Sequence, residues 1–413
     1  MMKKNRFALC VLSLVLVSVA YSMSAWSQQE TVPYKPDENV IREAIEAGRP
    51  DDVIAELSKI GPKNKAFFDA ITPYRQVLGK QHALFVEYQT ATPERKDKIQ
   101  EEYDKLLLEA EPLRKKLVDA AAEAFHEAPF LNFIVVEFFI GSGSHIGMIQ
   151  YENARDNYEV SFKLADAILA HPDKLTDQAG GLYAMAADAA FGCMEFEKAE
   201  QWYAKAASLK AQLSREAMGR RAEIPEQKKL WAEELAIREK EAQADNLPRV
   251  LIKTSKGDIT IELFEDNAPN TVANFISLVK KGFYKDIPFH RVLPGFMAQG
   301  GGECGYCIDC ERLKKDLVNR KHFRGSVSMA RTSMPDTGGS QFFLMFQPKA
   351  YLNGEYTVFG RIIDGIEILA DIQRIDPDDE VIMVEPDSII SAEVLRDRGH
   401  VYEPVKNNIR MRR

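Results

Sequence analysis

From Asp37 to about Asn246 apolar residues recur at helical spacing, and from Arg249 onward they alternate as in strands. In the first stretch Val118, Ala121, Ala122 and Phe125 share one helical face, as do Tyr158, Phe162 and Ala165. Gly61-Pro62, Pro73, Pro93, Pro129 and Pro172 read as punctuation between helices. Arg215 to Asp245 predicts one long charged helix, with Trp231 and Leu235 spaced for a common face. The pattern breaks at Asn246-Leu247-Pro248, where the two halves are expected to separate. A fragment starting near Asp245 is then expected to fold and keep its activity. Beyond the break, Arg249 to Leu263 predicts two strands around the turn Ser255-Lys256-Gly257-Asp258. Pro269 opens a helix with Val272, Phe275, Ile276 and Val279 on one face, and Gly282 closes it. A second helix is expected from Asp364, with Glu367 completing a capping box, and Ile389 to Leu395 returns as a strand. Strands on both sides of two helices suggest a barrel capped at its ends.

Part of the helical half is similar to a tetratricopeptide repeat. Tyr183, Ala186, Ala187 and Ala190 occupy the packing face of a first helix, and Ala199, Tyr203 and Ala206 that of a second. Small residues at these places let two helices approach closely. The late proline of that repeat is missing and no clean neighbouring copy is found, so an unrelated helical bundle stands as the alternative.

Three strings carry the chemistry: Phe289-His290-Arg291-Val292-Leu293-Pro294-Gly295-Phe296-Met297-Ala298-Gln299-Gly300-Gly301, Gly338-Gly339-Ser340-Gln341-Phe342-Phe343, and Tyr351-Leu352-Asn353-Gly354 followed by Thr357-Val358-Phe359-Gly360. In this order and spacing they resemble the cyclophilin family of prolyl isomerases, over Arg249 to about Asp397. The two resemblances together imply a multidomain chain: an α-helical, tetratricopeptide-like N-terminal domain, then a cyclophilin-like antiparallel β-barrel capped by two helices. It implies Arg291 as the catalytic arginine and Gln299 as the glutamine that contacts substrate and steadies it. Phe296, Met297, Phe343 and Leu352 match the walls of a slot for the proline ring, and Ala330 and Gln341 match further groove positions. Phe342 alternates with Phe343 and is expected to point into the barrel core.

The sequence departs from the family at the groove. Tyr356 stands where many members have histidine, and Tyr351 replaces a tryptophan often linked to cyclosporin binding, which puts tight drug binding in doubt. Arg331-Thr332 replaces a small or amide-bearing pair, which could change the residue preferred before proline. The reaction moves no proton, so His290 reads as a structural hydrogen-bonding residue.

Cys304, Cys307 and Cys310 form C-x-x-C-x-x-C just after the first string. Three chemistries are open there. A structural disulfide among the three leads, zinc held by the cysteines with His322 is weaker, and a dithiol centre resembling that of periplasmic disulfide isomerases lacks its thioredoxin setting. Cys193 beside Phe191 reads as a buried small hydrophobe. Gly141-Ser142-Gly143-Ser144-His145-Ile146-Gly147 imitates a dinucleotide loop without a βαβ unit around it, so His145 reads as a loop residue. No cofactor is expected.

The N-terminus changes the picture of where the chain acts. Lys3, Lys4 and Arg6 precede an apolar stretch from Phe7 to Ala20, and Ala25-Trp26-Ser27 supplies a cleavage site, as in a secretory signal. A retained anchor is the alternative, but the run is shorter than the ~20 residues of a spanning helix. The expected organisation is a signal peptide at 1–27, a flexible segment at 28–36, the helical domain at 37–213, a charged helix and linker at 214–248, the isomerase domain at 249–397 and a solvated tail at 398–413. The mature protein is expected to be periplasmic or secreted, without stable membrane insertion. With 45% hydrophobic residues in 413 the chain can build more than one core. A net charge of −8 argues against a nucleic-acid partner. Expected partners are proline-containing peptides or proteins, with a protein partner for the helical domain. Two other functions compete: a scaffold using an isomerase-like barrel without turnover, and a thiol–disulfide enzyme resting on the cysteine loop alone.

Overall fold

The structure, a computed structural model, describes residues 37–47, 49–127, 145–170, 172, 179–309, 311, 320–378 and 385–407. The signal and flexible segments, Pro129, Gly141 to Ser144, Cys310 and the tail from 408 onward lie outside the described residues. Two compact units divide the chain. One comprises 1–151 and 160–182, the other 152–159 and 183–413.

In the first unit, α1 (Glu38–Glu46) and α2 (Pro50–Leu57) precede a long pair, α3 (Pro62–Tyr88) and α4 (Pro93–Glu127). α5 (His145–Ala154) and α6 (Tyr158–Leu169) follow, and each lies partly in the other unit. The long pair pack along each other, with Phe67, Phe68, Ile71, Val77, Leu117, Val118 and Ala121 buried, and Lys63 bonds Glu123 at 2.9 Å. Pro73, expected to punctuate, lies inside α3. A proline deletes one ladder bond, and the buried flanking residues carry the helix through it. Among the described residues no helix is long and apolar enough to cross a membrane.

The second unit holds α7 (Ala179–Gly192, which begins in the first), α8 (Phe196–Ser208), α9 (Arg215–Ala244) and the sheet domain. Ala186, Ala187, Ala190, Ala199, Tyr203 and Ala206 are all fully or nearly buried, as the small-residue pattern requires. Gly192 leaves room for the Tyr158 ring, which a Cβ would strike.

The strands are β1 (Arg249–Thr254), β2 (Gly257–Leu263), β3 (Ile287–Pro288), β4 (Arg291–Leu293), β5 (Met297–Gly300), β6 (Cys307–Ile308), β7 (Ser326–Met329), β8 (Phe342–Met345), β9 (Val358–Asp364), β10 (Ser388–Arg396) and β11 (Lys406–Asn407). Nine form one curled antiparallel sheet in the order β3-β10-β1-β2-β9-β7-β8-β5-β4. The helix α10 (Pro269–Lys280) buries Val272, Phe275, Ile276 and Val279 in the core, where Phe275 meets Phe342 edge-on at 5.4 Å. The second cap, α11 (Ile368–Asp371), is a single turn. The expected start at Asp364 is corrected: Asp364 ends β9 opposite Thr260, and Glu367 makes no capping bond. Gly365, at φ +81°, lies so close to the Asp258 carbonyl that a Cβ would clash. That approach keeps the chain extended until Gly365.

The break at 246–248 does not divide the structure. α9 is not a linker but a buttress, and its buried contacts are ionic. Arg320 donates to Glu234 (Nη2–Oε1 2.7 Å) and to Glu241, while Arg361 joins Glu241 to Glu262 at 2.6 Å each. The Arg320 guanidinium also lies 3.6 Å from the centroid of the Phe264 ring. Burial pushes the Glu234 carboxyl up, but Arg320 and Arg238 outweigh it and leave the group below the usual carboxylate range. Trp231 packs edge-on against Phe323 at 4.8 Å, whereas Leu235 is 48% exposed, so these two do not share a buried face.

The chain beyond Asp397, read from sequence as a solvated tail, is pinned as far as Asn407. Tyr402 enters the core and donates to Glu265 at 2.9 Å, Arg398 holds Asp266 in a two-pronged bridge, and β11 pairs with β6.

Candidate active site

Antiparallel register assembles the site. Arg291 pairs with Gln299, Gln299 with Phe343, and Phe343 with Ser328, so one row of side chains crosses β4, β5, β8 and β7 on the same face. Two residues along, Leu293, Met297 and Met345 form a parallel row. The intervening Val292, Ala298, Leu344 and Val327 point the other way and are buried in the barrel core. Strand alternation thus separates core from site with no residue to spare.

On the site face Met297, Ala330, Phe343, Met345 and Leu352 form an apolar cluster edged by half-buried Leu293, Phe296 and Tyr356. Tyr356 stands edge-on to Phe343 at 5.7 Å. Tyr351, 64% exposed, leans toward Phe296 at 6.3 Å and forms the outer rim. The Arg291 guanidinium lies 5.8 Å from the centroid of the Phe296 ring. Among the described residues, no hydrogen bond or ion pair occupies it. Gln299 donates to the Gln341 side chain at 2.9 Å. Gln299 and Arg291 are register partners across β4 and β5, while the Gln299 amide nitrogen is turned to Gln341.

Beside the slot a pocket of about 120 Å³ is lined by Ala330, Arg331, Thr337, Gly339, Gln341 and Cys304, among others. Arg331 is pinned by the Glu355 carbonyl (3.0 Å), the Thr332 carbonyl (3.0 Å) and the Glu355 carboxylate (3.3 Å), with the Tyr356 ring 4.5 Å away.

His322 is a wall residue that the sequence pattern did not reveal. It stacks on Phe343 at 6.1 Å, with Nδ1 3.1 Å from the Asn353 side-chain oxygen and Nε2 3.0 Å from the Ser328 hydroxyl. Both ring nitrogens are engaged by protein oxygens. Burial drives its pKa down to about 4. The unfolded chain, with an imidazole near ~6.5, therefore takes up the proton first. The stability this group contributes is complete above about pH 6.5 and is lost as pH falls through about 4. At about 1.4 kcal/mol per unit the span is worth about 3 kcal/mol. His322→Gln should flatten the rise of unfolding free energy between those pH values in denaturant titrations; an unchanged slope would refute this role.

Cys310 of the cysteine loop lies outside the described residues, and Cys304 and Cys307 are not bridged to each other. Cys304 and Cys307 are both free thiols. Cys307 is buried in β6, held by pairing with Asn407, whereas the Cys304 thiol turns to the Tyr306 carbonyl at 3.3 Å. Burial pushes the Cys307 thiol up, which disfavours the thiolate that metal binding or exchange requires. Among the described residues no group of three or more His, Cys, Asp or Glu side chains could hold a metal. The same loop does serve the fold. Glu311 accepts from the Asn270 and Thr271 amides at 2.7 and 3.0 Å and so caps α10, where Ala268 cannot.

The sheet domain matches a known family. The model for cyclophilin type peptidyl-prolyl cis-trans isomerases (CLD) matches residues 249–394. A peptidyl-prolyl cis-trans isomerase of Helicobacter pylori is 45% identical over 146 residues, covering 33% of this chain and 87% of that protein. One from Synechococcus elongatus is 39% identical over 146 residues, covering 34% and 96%. Peptidyl-prolyl cis-trans isomerase B of Bacillus subtilis is 43% identical over 130 residues, covering 30% and 88%. Similarity at this level over nearly the whole length of such relatives, on a domain whose register gathers the three strings around one slot, makes the chain a member of the cyclophilin-type peptidyl-prolyl cis–trans isomerases.

Proposed function

We propose that the chain is an exported prolyl isomerase that assists the folding of exported proteins, with Arg291 as its electrostatic catalyst. Isomerisation breaks no bond. It suspends the double-bond character of an X–Pro amide, against a barrier of ~18–20 kcal/mol. In the twisted transition state the prolyl nitrogen regains its lone pair, and a fixed cationic donor aimed there binds the twisted form better than either planar form. The observation that carries this reading is the row Arg291–Gln299–Phe343, which sets an unoccupied guanidinium at the edge of an apolar slot. The slot formed by Met297, Phe343 and Leu352 would hold the proline ring, and Phe296, Ala330, Arg331, Gln341, Tyr351 and Tyr356 would border the groove for its neighbours. The helical domain would act as a client or partner platform. Cleavage after Ser27 would release the mature chain, so N-terminal sequencing should begin at Gln28.

A mechanism without proton transfer fixes the pH behaviour. Burial holds His290 below the ordinary imidazole range and pushes the Tyr351 hydroxyl above the ordinary phenol range. With His322 lowered as well, no histidine or tyrosine of this set changes charge between about pH 6.5 and 9. In a proline-peptide isomerisation assay kcat/KM should be flat across that interval. A bell-shaped profile would transfer the chemistry to a titrating group and defeat the arginine reading.

A further inference from the structure

The turn Leu293-Pro294-Gly295-Phe296 joins the strand of Arg291 to the strand of Gln299 and delivers Phe296 to the slot. It closes with a Phe296 amide to Leu293 carbonyl bond of 3.1 Å, and Gly295 sits at φ +65°. Both polar groups of Gly295 are held from outside the turn. Its amide donates to Asp156 Oδ1 at 2.8 Å, and its carbonyl accepts from the Gln347 side chain at 2.5 Å. Asp156 lies more than ninety residues before the sheet domain, yet it is 1% exposed. Tyr158 donates to its Oδ1 at 2.9 Å and Arg374 to its Oδ2 at 2.8 Å. Gln347 is oriented in turn by Arg220 of α9, which donates to its oxygen at 3.1 Å and also bridges Asp188 of α7 at 2.5 Å. A third link runs through buried Arg324, which grips Glu159 at 2.6 and 2.7 Å and donates to the Phe346 carbonyl at 2.7 Å. The Phe346 amide donates to the Phe296 carbonyl at 3.0 Å.

We infer that Asp156, in the turn between α5 and α6, with Gln347 and Arg220, is a positioning brace for the catalytic turn, so that isomerisation depends on residues outside the family-matched 249–394. Two side chains of fixed orientation hold Gly295 through the peptide units on its two sides, and the clamp is buried, so water cannot replace it cheaply. Releasing it would let Phe296 and the ends of β4 and β5 drift, and displacements of about 1 Å can cost up to about 10²-fold in rate.

This inference rests on the isomerase reading, and its test separates the two. In the full-length chain, kcat/KM on a short proline peptide is compared for wild type, Asp156→Ala, Asp156→Asn, Gln347→Ala and Arg291→Ala, each well below its own melting temperature. Asp156→Ala should lose about tenfold or more. Asp156→Asn should recover most of that loss, because an amide oxygen still accepts from Gly295 although the charge facing Arg374 is gone. A purely structural ion pair would make Asn as poor as Ala, which would overturn the brace. If Asp156→Ala fails to fold, Gln347→Ala decides: a loss of several-fold supports the brace, and activity within twofold of wild type overturns it. An inactive wild type, or Arg291→Ala equal to wild type, would instead sink the underlying reading.

Discussion

Arg291→Ala is expected to fold normally and to lose about 10²–10³ in kcat/KM, the usual cost of removing one preorganised electrostatic donor. The fold should survive because the Arg291 side chain has no ion pair among the described residues and touches the protein mainly through Phe296. The loss should fall on kcat more than on KM, since planar substrate gains little from a donor aimed at the twisted nitrogen. Arg291→Lys keeps the charge but loses the planar fork, and should lie between wild type and Ala. Activity within a few-fold of wild type for Arg291→Ala would remove this residue from the mechanism.

Glu234→Ala is expected to destabilise the chain by about 3 kcal/mol, although the residue would pass for a surface charge in the sequence. Its side chain is 5% exposed and its partner Arg320 1% exposed. Removing one member of a buried pair strands the other, and the typical cost is about 3–5 kcal/mol. Glu241 still faces Arg320, so the lower end applies. Glu200, also on a helix and paired with Lys228, offers the contrast: its side chain is 55% exposed. Glu200→Ala should shift stability by less than about 1 kcal/mol. Denaturant unfolding of both variants checks the pair. Equal effects would show that α9 does not buttress the sheet domain through its charges.

These contacts also reverse the expectation for a fragment starting near Asp245. Such a fragment would lack Asp156, Glu159, Arg220, Glu234 and Glu241 together, and should lose both stability and turnover. The two expectations differ for a physical reason. Sequence reading finds buried faces by apolar periodicity, and it found α10, the β1–β2 hairpin and the alternation of Phe342 with Phe343. The buried face of α9 is carried by Gln227, Glu234 and Glu241, which look solvated in a charged helix. Arg320 and Arg324 are likewise buried only because their partners arrive from far away in sequence. The slot was legible because its residues sit in short contiguous strings whose spacing is set by strand alternation. Leu293, Met345 and His322 were missed as wall residues because only cross-strand register brings them to the same face. Asp156 carried no local signal at all.

Turnover of prolyl bonds by this barrel should depend on Arg291. The most direct measurement is two-dimensional exchange spectroscopy on a short Xaa-Pro peptide with a catalytic amount of the purified chain. Wild type should produce exchange peaks between the cis and trans resonances, and Arg291→Ala at the same concentration should leave them at the level of the peptide alone. Folded wild-type chain that produces no exchange, or Arg291→Ala that produces it equally, would contradict the account.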